Sequence, residues 1–304
     1  MAEKKSIPVT DLTAIVLLRL GKAFCLLGTA IPVLILIGRL IDYQFLLSIT
    51  PGKFIVMNPL SSICFILVGI AIWLVWDANA PRKNRRISKT LVLIVSFIGF
   101  LKILSLFLDF DLRLDGLLFR EQLDFYKEIY NTSWNEMAPN TALSFMLLGI
   151  TIWRIDYNAR NAKYFQYINY FIVLIALLSL YGYVYGVRNL YGVFHKVPMS
   201  FYSGLCFLLF SISVLFIRPM KGSMVILVGE NPAEVVLLRF LAFVLPLIFG
   251  WLKIEGERLE LFEKELGTAM LAVLTYVISM VLIARKSSVQ YRLRKARKKD
   301  SGFD

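Results

Sequence analysis

Met137-Ala-Pro-Asn-Thr-Ala-Leu-Ser-Phe-Met-Leu-Leu-Gly149-Ile150 decides the fold, because the chain writes this pattern more than once. Met57-Asn-Pro-Leu-Ser-Ser-Ile-Cys-Phe-Ile-Leu-Val-Gly69-Ile70 precedes it, and Met199-Ser-Phe-Tyr-Ser-Gly-Leu-Cys-Phe-Leu-Leu-Phe-Ser211-Ile212 follows. In each copy a hydroxyl stands four residues after the Met (Ser61, Thr141, Ser203) and a small residue comes next (Ser62, Ala142, Gly204). A Phe stands four residues after the hydroxyl (Phe65, Phe145, Phe207), and Gly69, Gly149 or Ser211 closes the pattern. Small residues let helices approach closely, and hydroxyls bond across helices in an apolar medium. Pro59 and Pro139 suit a first helical turn, where the missing N–H is not needed. A stretch opening at Gly267-Thr-Ala-Met-Leu is a worn fourth copy.

Around these stretches the sequence is apolar over bilayer lengths. Hydrophobic residues make up 58% of the 304 positions and mean hydropathy is +0.68. Runs of about 20 apolar residues recur throughout, so the sequence predicts an all-α polytopic membrane protein with a single transmembrane domain over 1–304. The expected spans are 12–41, 59–76, 90–108, 139–153, 167–185, 201–217, 235–252 and 266–284, with a basic tail at 285–304. Only helices or closed barrels satisfy backbone groups in lipid, and unbroken apolar runs are not barrel strands. The first run is too long for a signal-peptide core and is expected to be retained. Roughly two thirds of the 34 Lys and Arg fall on the side of the N-terminus and tail, while the acids run the other way. Both termini are therefore expected in the cytoplasm, and the copied helices all enter from outside. They are parallel repeats, not inverted ones. The basic run Arg292–Lys299 reads as attraction to anionic lipid, so nucleic acid is not an expected partner.

The Met137–Gly149 run resembles the multi-pass N-terminal sensor modules of bacterial membrane histidine kinases and related PAS-containing signalling proteins. Asp109-x-Asp-x-x-x-Asp-x-Leu-Leu-Phe119, Gly182-Tyr-x-Tyr-Gly186 and Pro246-Leu-Ile-Phe-Gly-Trp-Leu252 extend the resemblance over about residues 12–292. It implies a bacterial inner-membrane sensor in a two-component system. The last helix would relay a stimulus to a cytoplasmic kinase or other output domain. Membrane lipids, that output and a second copy of the chain are the partners to expect. Within the 304 residues the single histidine, His195, lies in an outside loop, so neither a phosphoacceptor nor a kinase ATP site is legible.

The candidate ligand-binding residues are Ser61, Phe65, Asn140, Thr141, Phe145, Ser203 and Phe207, set against a purely architectural role for the repeat. Asp109, Asp111 and Asp115 with His195 form a candidate external rim. The three acids lack the ligand spacing of a calcium loop, and His195 is either a pH-responsive group or an incidental loop residue. The segment 109–136 is expected to hold an amphipathic helix on the membrane, and 255–266 an interfacial lead-in to the last span. Cys25, Cys64 and Cys206 lie in apolar runs and imply no disulfide framework. No nucleophile–base constellation, phosphate loop or metal-ligand cluster is legible, so no enzyme is expected and the cofactor is unknown. Arg19, Arg39 and Lys102 lie towards span ends, and the mid-span regions lack ionisable groups. That favours a sensor over a small permease or lipid-handling protein, the alternative reading.

Overall fold

The computed structural model describes residues 9–41, 43, 55–108, 136–155, 159–185, 198–219, 221, 224, 244 and 248–259. Most of these are helical, and the described residues include no strand. The helices are α1 (Val9–Leu40), α2 (Pro59–Leu74), α3 (Arg82–Phe107), α4 (Pro139–Trp153), α5 (Ala159–Tyr185) and α6 (Phe201–Phe216). Contacts divide the chain into two compact units, Met1–Pro232 and Ala233–Asp304. In the second, residues 248–258 are helical and carry ion pairs Lys253–Glu257 (2.8 Å) and Arg258–Glu255 (3.5 Å).

Two kinds of helix build the first unit. Stretches of α1, α3 and α5 (Ala14–Leu40, Arg82–Ser105, Tyr164–Tyr185) are long and apolar enough to cross a membrane, the coarse property of a membrane protein. Each is only 28% buried and turns large apolar side chains outward, among them Leu26, Leu93, Phe97, Phe171 and Leu174. Water would penalise such a surface, whereas lipid does not. The 15- and 16-residue helices α2, α4 and α6 are the sheltered ones, with ten of the 15 residues of α4 buried. At 1.5 Å per residue they are about 24 Å long, shorter than a hydrocarbon core of roughly 30 Å.

The packing follows from that division. α2, α4 and α6 touch one another, while α1 lies between α2 and α6, α3 between α2 and α4, and α5 between α4 and α6. Small residues set the closest crossings. A Cβ on Gly69 would collide with the Thr29 side chain, and one on Gly149 with the Ser96 side chain and the Val92 carbonyl (3.0 Å). The repeated glycine is thus where a long helix crosses a short one. Hydroxyls add bonds between helices: Ser88 Oγ donates to the Ala71 carbonyl at 2.9 Å, and Tyr183 Oη to the Met199 carbonyl at 2.8 Å. At the far end Arg218 Nη1 donates to the Trp76 carbonyl at 3.0 Å, tying the ends of α6 and α2. Near that end Lys22 lies over Trp73 (5.9 Å) and Lys89 over Trp153 (5.7 Å), partly exposed aromatics of the kind found at a membrane–water interface.

Several expected boundaries move. α3 begins at Arg82 and α5 at Ala159, so residues 82–89 and 159–166, expected as loop, are helical. Polar first turns have no apolar signal, and hydropathy alone misses them. α1 runs through Pro32 without interruption. In the second unit the helix at 248–258 passes the expected span end at 252. The span 266–284, most of 235–252, the segment 109–135 and the tail lie outside the described residues.

Candidate functional site

The three copied stretches meet at their Phe residues. Phe65, Phe145 and Phe207 are fully buried, with ring centroids 4.6 Å (65–145), 4.7 Å (65–207) and 4.8 Å (145–207) apart. Interplanar angles of 54°, 64° and 62° make each ring present an edge to a neighbour, a favourable arrangement for aromatic quadrupoles. The triangle is nearly equilateral, so one helix face of each copy points to a common axis. Phe210 joins from α6, stacked on Phe65 at 6.0 Å, and Gly28 of α1 gives its ring room.

One turn towards the helix starts lie the hydroxyls. Ser61, Thr141 and Ser203 line a small pocket with Ile55, Val56, Asn58, Glu136, Ala138, Pro198 and Ser200. Its volume of about 10 Å³ is room for one water-sized group. The Phe triad lies one helical turn deeper along the same helices and is not part of the pocket's lining.

The helix starts that form the walls are finished differently. In α2 the Asn58 Oδ1 accepts from the Leu60 and Ser61 N–H groups (2.8 and 3.2 Å), after which Pro59 needs no partner. In α6 the Ser200 Oγ accepts from the Ser203 N–H at 3.1 Å and shares a hydrogen bond with the Ser203 Oγ at 2.8 Å. In α4 the cap is Ala138, which has no side-chain acceptor. Pro139 again has no N–H, but the Thr141 N–H is left without a cap. The hydroxyls of Ser61 and Thr141, in residues 1% and 2% exposed, have no hydrogen-bond partner among the described residues.

Two buried cations stand near this end. Arg39, at the end of α1, is fully buried and its Nη2 donates to the Met57 carbonyl at 2.8 Å, beside the α2 cap. Tyr183 makes the corresponding bond to Met199. Lys102, 6% exposed, lies one turn beyond Gly99, which packs against the Ala142 carbonyl. Sequence position at a span end marked both as loop-facing charges, whereas the structure buries them. Arg39, Lys102, Asn58 and Ser200 were therefore missed. The cap position next to the repeated Met was the available signal, but it reads Asn, Ala and Ser in the three copies.

Of the expected ligand residues, Ser61, Thr141 and Ser203 line the pocket, whereas Phe65, Phe145 and Phe207 pack against one another one turn deeper and are not in its lining. Asn140 is buried but is not part of the lining. Asp109, Asp111, Asp115 and His195 lie outside the described residues. No group of His, Cys, Asp and Glu suited to a metal ion occurs among the described residues.

The fold and site define a helical membrane protein whose three short helices share a hydroxyl-lined pocket at their starts and a packed aromatic triad one turn deeper. Compared with known proteins, the chain matches no family model, no curated protein and no solved structure.

Proposed function

We propose that the chain is the signal-input module of a bacterial inner-membrane sensor, built from repeated hairpins in about eight spans with both termini in the cytoplasm. In this reading the helix starts of α2, α4 and α6 face outside, and the pocket between them receives the stimulus. The observation that carries the proposal is the hydroxyl-lined pocket at the helix starts, with the packed Phe65–Phe145–Phe207 triad one helical turn deeper on the same helices. Such a site can take a small group without passing it across. Packed interiors respond to a change at one point by switching between discrete arrangements. Occupancy above the triad would therefore shift α2, α4 and α6 together, and the last helix would carry the shift to a kinase or other output domain. A permease needs an opening along its path, and the packed triad counts against one along this axis.

The test pairs the full chain with a cytoplasmic kinase reporter in cells and, separately, with sealed vesicles. Phe145→Ala is expected to change reporter output several-fold at unchanged protein level, while vesicles holding the chain pass no small solute. Reporter output indifferent to Phe145→Ala and to pocket substitutions, together with solute flux, would reverse the assignment in favour of the permease.

A further inference from the structure

The pocket has a definite chemical polarity. Three helix starts converge on it, and each carries about half a positive elementary charge. Capping leaves three donors over at this end. Asn58 occupies the N–H groups of α2, and Ser200 that of Ser203. What remains is the Thr141 N–H of the uncapped α4 start, together with the Thr141 and Ser61 hydroxyls. The two hydroxyls belong to pocket-lining residues and have no bond to the described residues, and the Thr141 N–H has no side-chain cap, so one acceptor seated there can take up all three donors. The fixed charges agree: Arg39 and Lys102 are buried near this end, against the single carboxylate of Glu136 in the lining.

We propose that this pocket binds one oxyanion group, a carboxylate or the equivalent oxygen edge of a phosphate, through Thr141 N–H, Thr141 Oγ1 and Ser61 Oγ. A volume of about 10 Å³ admits a single oxygen of the anion and leaves the rest of the ligand in the mouth. Glu136 opposes the anion, so its role is to hold affinity down, and neutralising it tightens binding. The opposite polarity, a cation held by Glu136 and hydroxyl oxygens, would leave the Thr141 N–H facing a positive charge. The inference deepens the sensor reading by naming its input. Its test uses binding alone, so it can fail while a sensor with another input survives, or hold in a protein with another role.

The experiment is titration of the purified full chain in neutral detergent with acetate, phosphate and methylammonium at constant ionic strength, read by thermal unfolding. Acetate or phosphate should raise the unfolding temperature saturably, and methylammonium should not. Thr141→Val and Ser61→Ala should each weaken the apparent affinity about ten-fold, the loss expected for a hydrogen bond to a charged group. Thr141→Ser should restore most of it, which separates binding from folding, and Glu136→Gln should strengthen it. Repeating the titration in discs of phosphatidylglycerol distinguishes the source: competition by the lipid identifies its headgroup phosphate, and undiminished binding identifies a free solute. No saturable response to either anion, or saturation by methylammonium that Glu136→Gln abolishes, would overturn the proposal.

Discussion

Arg39 shows how a single residue can change character between sequence and fold. At the end of an apolar run a long cation is expected to reach for water, yet its guanidinium is enclosed and bonded to the Met57 carbonyl. Tyr183 does the same for Met199 with a neutral hydroxyl. The two contacts make a comparison of charged and neutral donors at related places. Tyr183→Phe removes one neutral bond and should cost about 1 kcal/mol, whereas Arg39→Leu should cost about 2 kcal/mol or more, since bonds from charged groups are stronger. Chemical unfolding in micelles measures both, and equal costs would mean that the Arg39 charge contributes nothing at this site. Neither contact could be read from local sequence, because the acceptor is a backbone carbonyl of another helix. The Phe residues were legible for the opposite reason: three copies at one spacing imply one shared environment, and the structure brings the three rings together.

Among the elements, α2, α4 and α6 are the most legible, since Pro59 and Pro139 at the first helical position and Trp153 at the end of α4 mark their limits. The polar first turns of α3 and α5 were not legible from hydropathy. The caps carry a prediction that joins stability to binding. Asn58→Ala removes the acceptor for Leu60 and Ser61 and should lower stability by about 1 kcal/mol. Ala138→Asn should give α4 the cap it lacks and raise stability by a similar amount, about 1 kcal/mol. The new side chain would also take the Thr141 N–H, so the same substitution should weaken acetate binding. Thermal unfolding with and without acetate reads both effects, and a gain in stability with unchanged acetate affinity would remove Thr141 N–H from the site.

At the scale of the whole molecule the repeat explains why the axis is aromatic and the mouth polar. Each short helix starts with a polar turn and places its Phe one turn deeper, so parallel copies around one axis produce a layer of hydroxyls above a layer of rings. The sequence made the parallel direction and the common face readable. It did not reveal that α1, α3 and α5 each bridge two short helices, because that depends on which neighbours close the ring. The contact between α2 and α6, far apart in the chain, is the closing one. It can be tested in membranes with a version lacking Cys25, Cys64 and Cys206 and carrying pairs of cysteines in place of Phe65, Phe145 and Phe207. A short thiol-specific cross-linker should join all three pairs within one chain, 65–207 as efficiently as 65–145, while a pair of 65 with exposed Ile94 stays unlinked. Cross-linking of 65–145 and 145–207 without 65–207 would contradict the closed arrangement of three helices on which the site rests.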